Sequence, residues 1–63
     1  MKVLTHTYRV WMHDGNAGLY NSGTEEGARQ RARAVAAETC KGQAMTSEER
    51  LRACTVRKVE LLS

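Results

Sequence analysis

The sequence predicts an α+β domain in β-β-α-β order: a small antiparallel sheet with one α-helix packed on one face, and a possible short helical turn before the last strand. Three observations predict it. The opening run Leu4–Met12 alternates, an Asp-Gly turn signal follows it, and an alanine- and arginine-rich stretch of helical period comes next.

In the opening run, Leu4, Tyr8, Val10 and Met12 share one side of a strand. Thr5, Thr7, Arg9 and Trp11 share the other. His13-Asp14-Gly15-Asn16-Ala17-Gly18 is rich in residues that tolerate positive φ. A two-residue loop at Asp14-Gly15 sets Val10 opposite Leu19 and Trp11 opposite Gly18. A loop at Gly15-Asn16 sets Met12 opposite Leu19 and Trp11 opposite Tyr20. Both registers have the same parity. Either one sends Leu19 to the core face and Tyr20 outward, beside Arg9 and Trp11.

Asn21-Ser22-Gly23-Thr24 closes the second strand. Thr24 is a good N-cap, with Glu25 and Glu26 at the positive end of the helix dipole; Ser22 with Glu25 forms a competing capping box. The helix is expected to reach Glu38 or Thr39. Ala28, Ala32, Val35 and Thr39 make a narrow stripe with Ala36 at its edge. Arg29 and Arg33 flank one side and Arg31 the other. Gly42 suits the position just past the helix end. Ser47-Glu48-Glu49-Arg50-Leu51-Arg52 offers a cap followed by acids, enough for one helical turn. Cys54–Leu62 reads as a strand whose alternation breaks at Arg57-Lys58, because Val56 and Val59 differ in parity. A bulge there repairs it, as does a strand that begins only at Val56.

At 63 residues the chain is one domain, 1–63, near the lower limit for folding alone. It lacks Phe, and much of its apolar content is alanine, so the core is thin and a deep catalytic pocket or buried cofactor is hard to support. The net charge is +3 and the pI about 9.2. That charge is spread evenly, with +1 on each of 1–23, 24–41 and 42–63. It permits attraction to nucleic acid or to an acidic protein. No apolar run approaches the length of a membrane span. Met1-Lys2 leads straight into strand pattern with no apolar stretch before it. The expectation is a cytoplasmic protein with Cys40 and Cys54 reduced.

Chemistry-bearing motifs are scarce. His6 shares parity with Tyr8 and Val10, His13 falls in the turn, and neither has a partner placed by spacing. Positions 6, 13, 40 and 54 show no zinc-type clustering. The expectation is therefore no catalytic residue, no metal and no cofactor. The candidate site is a binding surface. Its first part is Arg9, Trp11 and Tyr20, whose flat rings and cation suit a protein hot spot or stacked single-stranded nucleic acid; local packing of Trp11 is the plain alternative. Arg29, Arg31 and Arg33 form a second group, able to meet phosphates or acids, or simply to shield the alanine stripe with their stems. Arg57 and Lys58 complete the set.

In size, in the strand pair ending Asn21-Ser22-Gly23-Thr24-Glu25-Glu26, and in the Ala/Arg helix from Ala28 to Ala37, the chain resembles the anti-CRISPR proteins of phages and mobile elements. The resemblance spans most of the chain and carries over no functional residue. It implies a phage-type inhibitor that docks on a larger host nucleic-acid-targeting complex and blocks it. Many such inhibitors are acidic DNA mimics; this basic chain suits an acidic or mixed protein surface, or work beside nucleic acid. The partners expected are a larger protein or ribonucleoprotein complex, with DNA or RNA contact as the alternative and a homodimer as the next; no membrane partner is expected.

Overall fold

In the computed structural model, which describes residues 5–63, the elements are β1 (His6–Met12), β2 (Ala17–Ser22), α1 (Glu25–Cys40), α2 (Ser47–Cys54) and β3 (Val56–Leu61). The strands form one antiparallel sheet in the order β2-β1-β3. The α+β class and the helix-on-one-face arrangement are as the sequence predicts. Leu4 lies outside the described residues.

The alternation of β1 is realised. Tyr8, Val10 and Met12 are buried on one face, while Thr7, Arg9 and Trp11 are half-buried on the other. β2 departs from both expected registers. Trp11 is opposite Ala17, Arg9 opposite Leu19 and Tyr8 opposite Tyr20. The Asp14 carboxylate accepts from the backbone N–H of Asn16 at 2.9 Å and from its side-chain amide at 2.9 Å. Met12 N–H then donates to Asn16 C=O at 2.8 Å, and Gly15 takes φ +93°. Only His13, Asp14 and Gly15 lie beyond that last cross-strand bond, so the loop has an odd length. A one-residue change in loop length moves every β2 side chain to the other face. Tyr20 therefore belongs to the core side and Leu19, 62% exposed, to the open side, the reverse of the expectation.

Thr24 caps α1, accepting from Gly27 N–H at 3.0 Å, while the Ser22 hydroxyl accepts from Thr24 N–H at 3.3 Å. The helix extends to Cys40, slightly past its expected end. Lys41 (φ −63°, ψ 125°) and Gly42 (φ +79°) then make a type II turn, closed by Gln43 N–H donating to Cys40 C=O at 3.1 Å. The buried ridge is Ala28, Ala32 and Cys40, with Ala36 packed on it. Val35 is 51% exposed and Thr39 is exposed, so the inner face is rotated from the expected stripe. Alanine spaced at i, i+4 lets the helix approach Val10, the deepest large side chain of the core.

The expected helical turn is a full second helix. Its cap is Thr46, not Ser47: Thr46 accepts from Glu49 N–H at 3.1 Å and Glu49 accepts from Thr46 N–H at 3.3 Å, a reciprocal capping box. Ala53 of α2 is buried beside Met12, Ala32 and Cys40, so α2 lies on the same side of the sheet as α1. β3 begins at Val56 and carries the bulge as well. Lys58 is opposite Trp11 and Val56 opposite Met12, leaving Arg57 as the extra residue. That insertion returns both Val56 and Val59 to the core.

Candidate binding face

α1 covers one side of the sheet, with α2 packed against α1 and β1, and among the described residues the other side is open. Its residues follow from the register. One row across the strands is Ala17, Trp11 and Lys58; the next is Leu19, Arg9 and Glu60; Asn21 and Thr7 begin a third. Arg9 binds this grid together. Its guanidinium carbon lies 6.0 Å from the centroid of the Trp11 ring, and Nη1 is 3.6 Å from Glu60 Oε1. A cation over an indole is worth about 0.5–1 kcal/mol at an exposed site. The ion pair is exposed enough to be worth about 0–1 kcal/mol. The Thr7 hydroxyl donates to Asn21 Oδ1 at 2.9 Å and fixes the far end. The Trp11 indole N–H is shielded from solvent and meets no acceptor among the described residues. What Trp11 offers a partner is therefore its carbon framework.

Of the expected site residues, Arg9, Trp11 and Lys58 come together here. Tyr20 does not; it lies on the helix side, its ring over Gly18. Leu19 takes its place in the open face, and alternation alone would have found it had the loop been read as three residues. Glu60 was also missed, although two steps along β3 from Lys58 it shares its face by parity. Arg57 is exposed in the bulge.

The helical arginines are dispersed. Arg29 Nε lies 3.3 Å from Glu25 and Arg33 Nη2 lies 3.4 Å from Glu26, on the flank of α1 near Thr55 and Val56. Arg31 is exposed on the other flank, one turn from Val35, and makes no ion pair among the described residues. These cations lie across the sheet from Trp11, so the two expected groups do not form one surface.

The remaining reactive groups are separate from the open face. His6 is exposed and packs edge-on against Tyr8 with ring centroids 6.2 Å apart; His13 is exposed in the turn. No three of the described His, Cys, Asp and Glu residues are grouped to hold a metal ion. A half-open groove of about 340 Å³ runs between the hairpin end and the helices, lined by Tyr20, Ala36, Met45 and Ala53 among others. Cys40 and Cys54 are free thiols at the ends of the two helices. Burial, then the neighbouring Cys54, pushes the Cys40 thiol above its ordinary pKa. The thiolate is the reactive form. In a timed alkylation at pH 8 read by mass spectrometry, the half-buried Cys54 is expected to react first, and faster labelling of Cys40 would contradict this environment.

Among the described residues no helix is long and apolar enough to cross a membrane. Comparison with known proteins finds no matching family model, no similar curated protein and no matching solved structure.

Proposed function

We propose that this chain is a non-enzymatic binding protein, an inhibitor or adaptor that docks the open face of its sheet on a larger protein or ribonucleoprotein. The observation that supports this is the uncovered grid of Trp11, Arg9 and Leu19, a fixed aromatic, an arginine and an apolar side chain on a rigid sheet. Aromatic and arginine anchors of this kind dominate protein interfaces. The resemblance to anti-CRISPR proteins gives the partner its class, a host complex that targets nucleic acid.

Direct nucleic-acid binding fits the face less well. Single-strand platforms use successive stacking rings and a cationic track for phosphates. This face has one large ring, since Tyr20 lies on the other side, and Arg9 is already paired with Glu60.

The test begins with affinity capture of the partner from the native host, followed by titration of variants against it. Trp11→Ala and Arg9→Glu are each expected to weaken binding at least tenfold with the circular dichroism spectrum unchanged, about 1.4 kcal/mol or more. Arg33→Glu, across the sheet, is expected to leave affinity intact. Full binding by Trp11→Ala and Arg9→Glu, or strongly salt-dependent binding to free DNA or RNA in a mobility-shift titration, would overturn the reading.

A further inference from the structure

We infer that the free edge of β2 pairs with the β2 edge of a second copy of this chain, about a two-fold axis through Leu19, to make one continuous sheet. The hydrogen-bond phase of the hairpin supports it. Met12 N–H donates to Asn16 C=O, and bonding pairs in an antiparallel ladder recur at every second residue. Gly18, Tyr20 and Ser22 therefore turn their backbone groups toward β1, and Ala17, Leu19 and Asn21 turn theirs outward. The β3 side agrees: Thr7 and His13, of odd number, bond across to Ser63 and Thr55. None of the described hydrogen bonds uses the outward groups of β2.

Those outward groups are self-complementary in one register. A two-fold axis normal to the sheet and centred on Leu19 sets Leu19 against Leu19 of the second copy, and Ala17 against its Asn21. Every outward N–H and C=O then finds a partner. Shifting the centre to Gly18 or Tyr20 strands one of the three residues. The side chains agree with this choice. On the helix side Gly18, already covered by the Tyr20 ring of its own chain, sets no side chain of its own opposite the second copy's Tyr20. On the open side the exposed Leu19 pair covers itself.

Charge selects this edge over the other. The β3 edge carries Arg57, Lys58 and Glu60 and a bulge, devices that blunt edge pairing. β2 carries no charged residue and no proline, so two copies of a basic chain can approach there. α1 adds to the seam. Val35 lines the same groove as Gly18 and Tyr20, which puts it on the β2 side of the helix, and Arg31 and Glu38 stand on its outer flank to either side. The two-fold relation runs the two α1 helices in opposite directions, so Arg31 of one faces Glu38 of the other. The strand edges alone bury less than the ~1,200 Å² of a standard interface; Leu19, Val35 and this charge pair extend it. The contact takes Leu19 into the seam and leaves Trp11 and Arg9 outside it, so the doubled sheet presents that pair twice.

Sedimentation equilibrium of the full chain, without any partner, tests this. The expected result is reversible association from about 10 μM to 1 mM to twice the 7.0 kDa monomer mass. Leu19→Lys sets two like charges opposite each other and is expected to weaken the dimer at least tenfold, whereas Arg57→Glu on the β3 edge leaves it unchanged. Amide exchange of the unmodified protein gives a second readout: protection of the Ala17, Leu19 and Asn21 N–H groups is expected to rise with protein concentration. A monomer throughout that range, a dimer indifferent to Leu19→Lys, or exchange at these amides independent of concentration would overturn the proposal.

Discussion

Ala32→Leu is expected to lower the melting temperature by roughly 10–20 °C, taking about 2–3 kcal/mol of overpacking and the ~4–8 °C per kcal/mol of a domain this small. Ala32 is 1% exposed on the inner ridge of α1, against a core that includes Val10 at 0%. Three added carbons have nowhere to go unless the helix lifts from the sheet. Lifting it would also part Ala28 and Ala36 from the same core. At roughly 0.05–0.15 kcal/mol per residue, 63 residues hold only about 3–9 kcal/mol in total, so this is a large fraction. Val35→Leu is the control. Val35 is three residues away but 51% exposed, and its enlargement is expected to change stability by no more than about 0.5 kcal/mol. Thermal unfolding followed by circular dichroism measures both. A Val35→Leu as destabilising as Ala32→Leu would place the inner face on the expected Ala28, Ala32, Val35 and Thr39 stripe, and a neutral Ala32→Leu would contradict the close contact of helix and sheet.

That contrast shows what the sequence makes legible and what it does not. Helical period locates the inner face to within a fraction of a turn, and the choice between Val35 and Ala36 falls inside that fraction. Hydropathy favours valine; close approach of helix to sheet favours alanine, and here close approach wins. Caps read well where the residue chemistry is local, as at Thr24 and Gly42. Thr46 was legible too, as the first residue of a Thr-x-x-Glu box, but Ser47 competes with it on propensity alone. The opposite parity of Val56 and Val59 flagged the break at Arg57-Lys58 but left two readings open, a bulge or a strand beginning at Val56, and the structure has both features. The β2 register was not readable from alternation. It rests on a single count, the loop length, which the Asp14 carboxylate sets by holding Asn16. One miscounted residue exchanged Leu19 and Tyr20 and so altered the composition of the candidate site, while Arg9 and Trp11, fixed by the parity of β1, stayed in place; Lys58, whose face the broken alternation of β3 left open, joins them through the bulge.

Tyr20→Ala turns that exchange into a measurement. Tyr20 is opposite Tyr8 in the ladder, packs against the buried cluster and lies over Gly18, where an added Cβ would come within 2.7 Å of the phenol oxygen. Truncation leaves a hollow over a glycine, which has no side chain to fill it, and uncovers Tyr8. The expected cost is about 2–4 kcal/mol, below the range for a fully buried aromatic because Tyr20 keeps some exposure. Tyr20→Phe keeps the ring and is expected to stay within about 1 kcal/mol of the parent, since no hydrogen bond of the phenol is seen among the described residues. Affinity for the partner, corrected for the folded fraction, is expected to be unchanged in both, because the side chain lies across the sheet from Trp11 and Arg9. Trp11→Ala should show the opposite split, with binding lost and the fold kept. Urea unfolding and partner titration on the same three variants read the two quantities independently. A Tyr20→Ala protein that keeps its stability but loses its partner would return Tyr20 to the open face and restore the two-ring platform that nucleic-acid stacking requires.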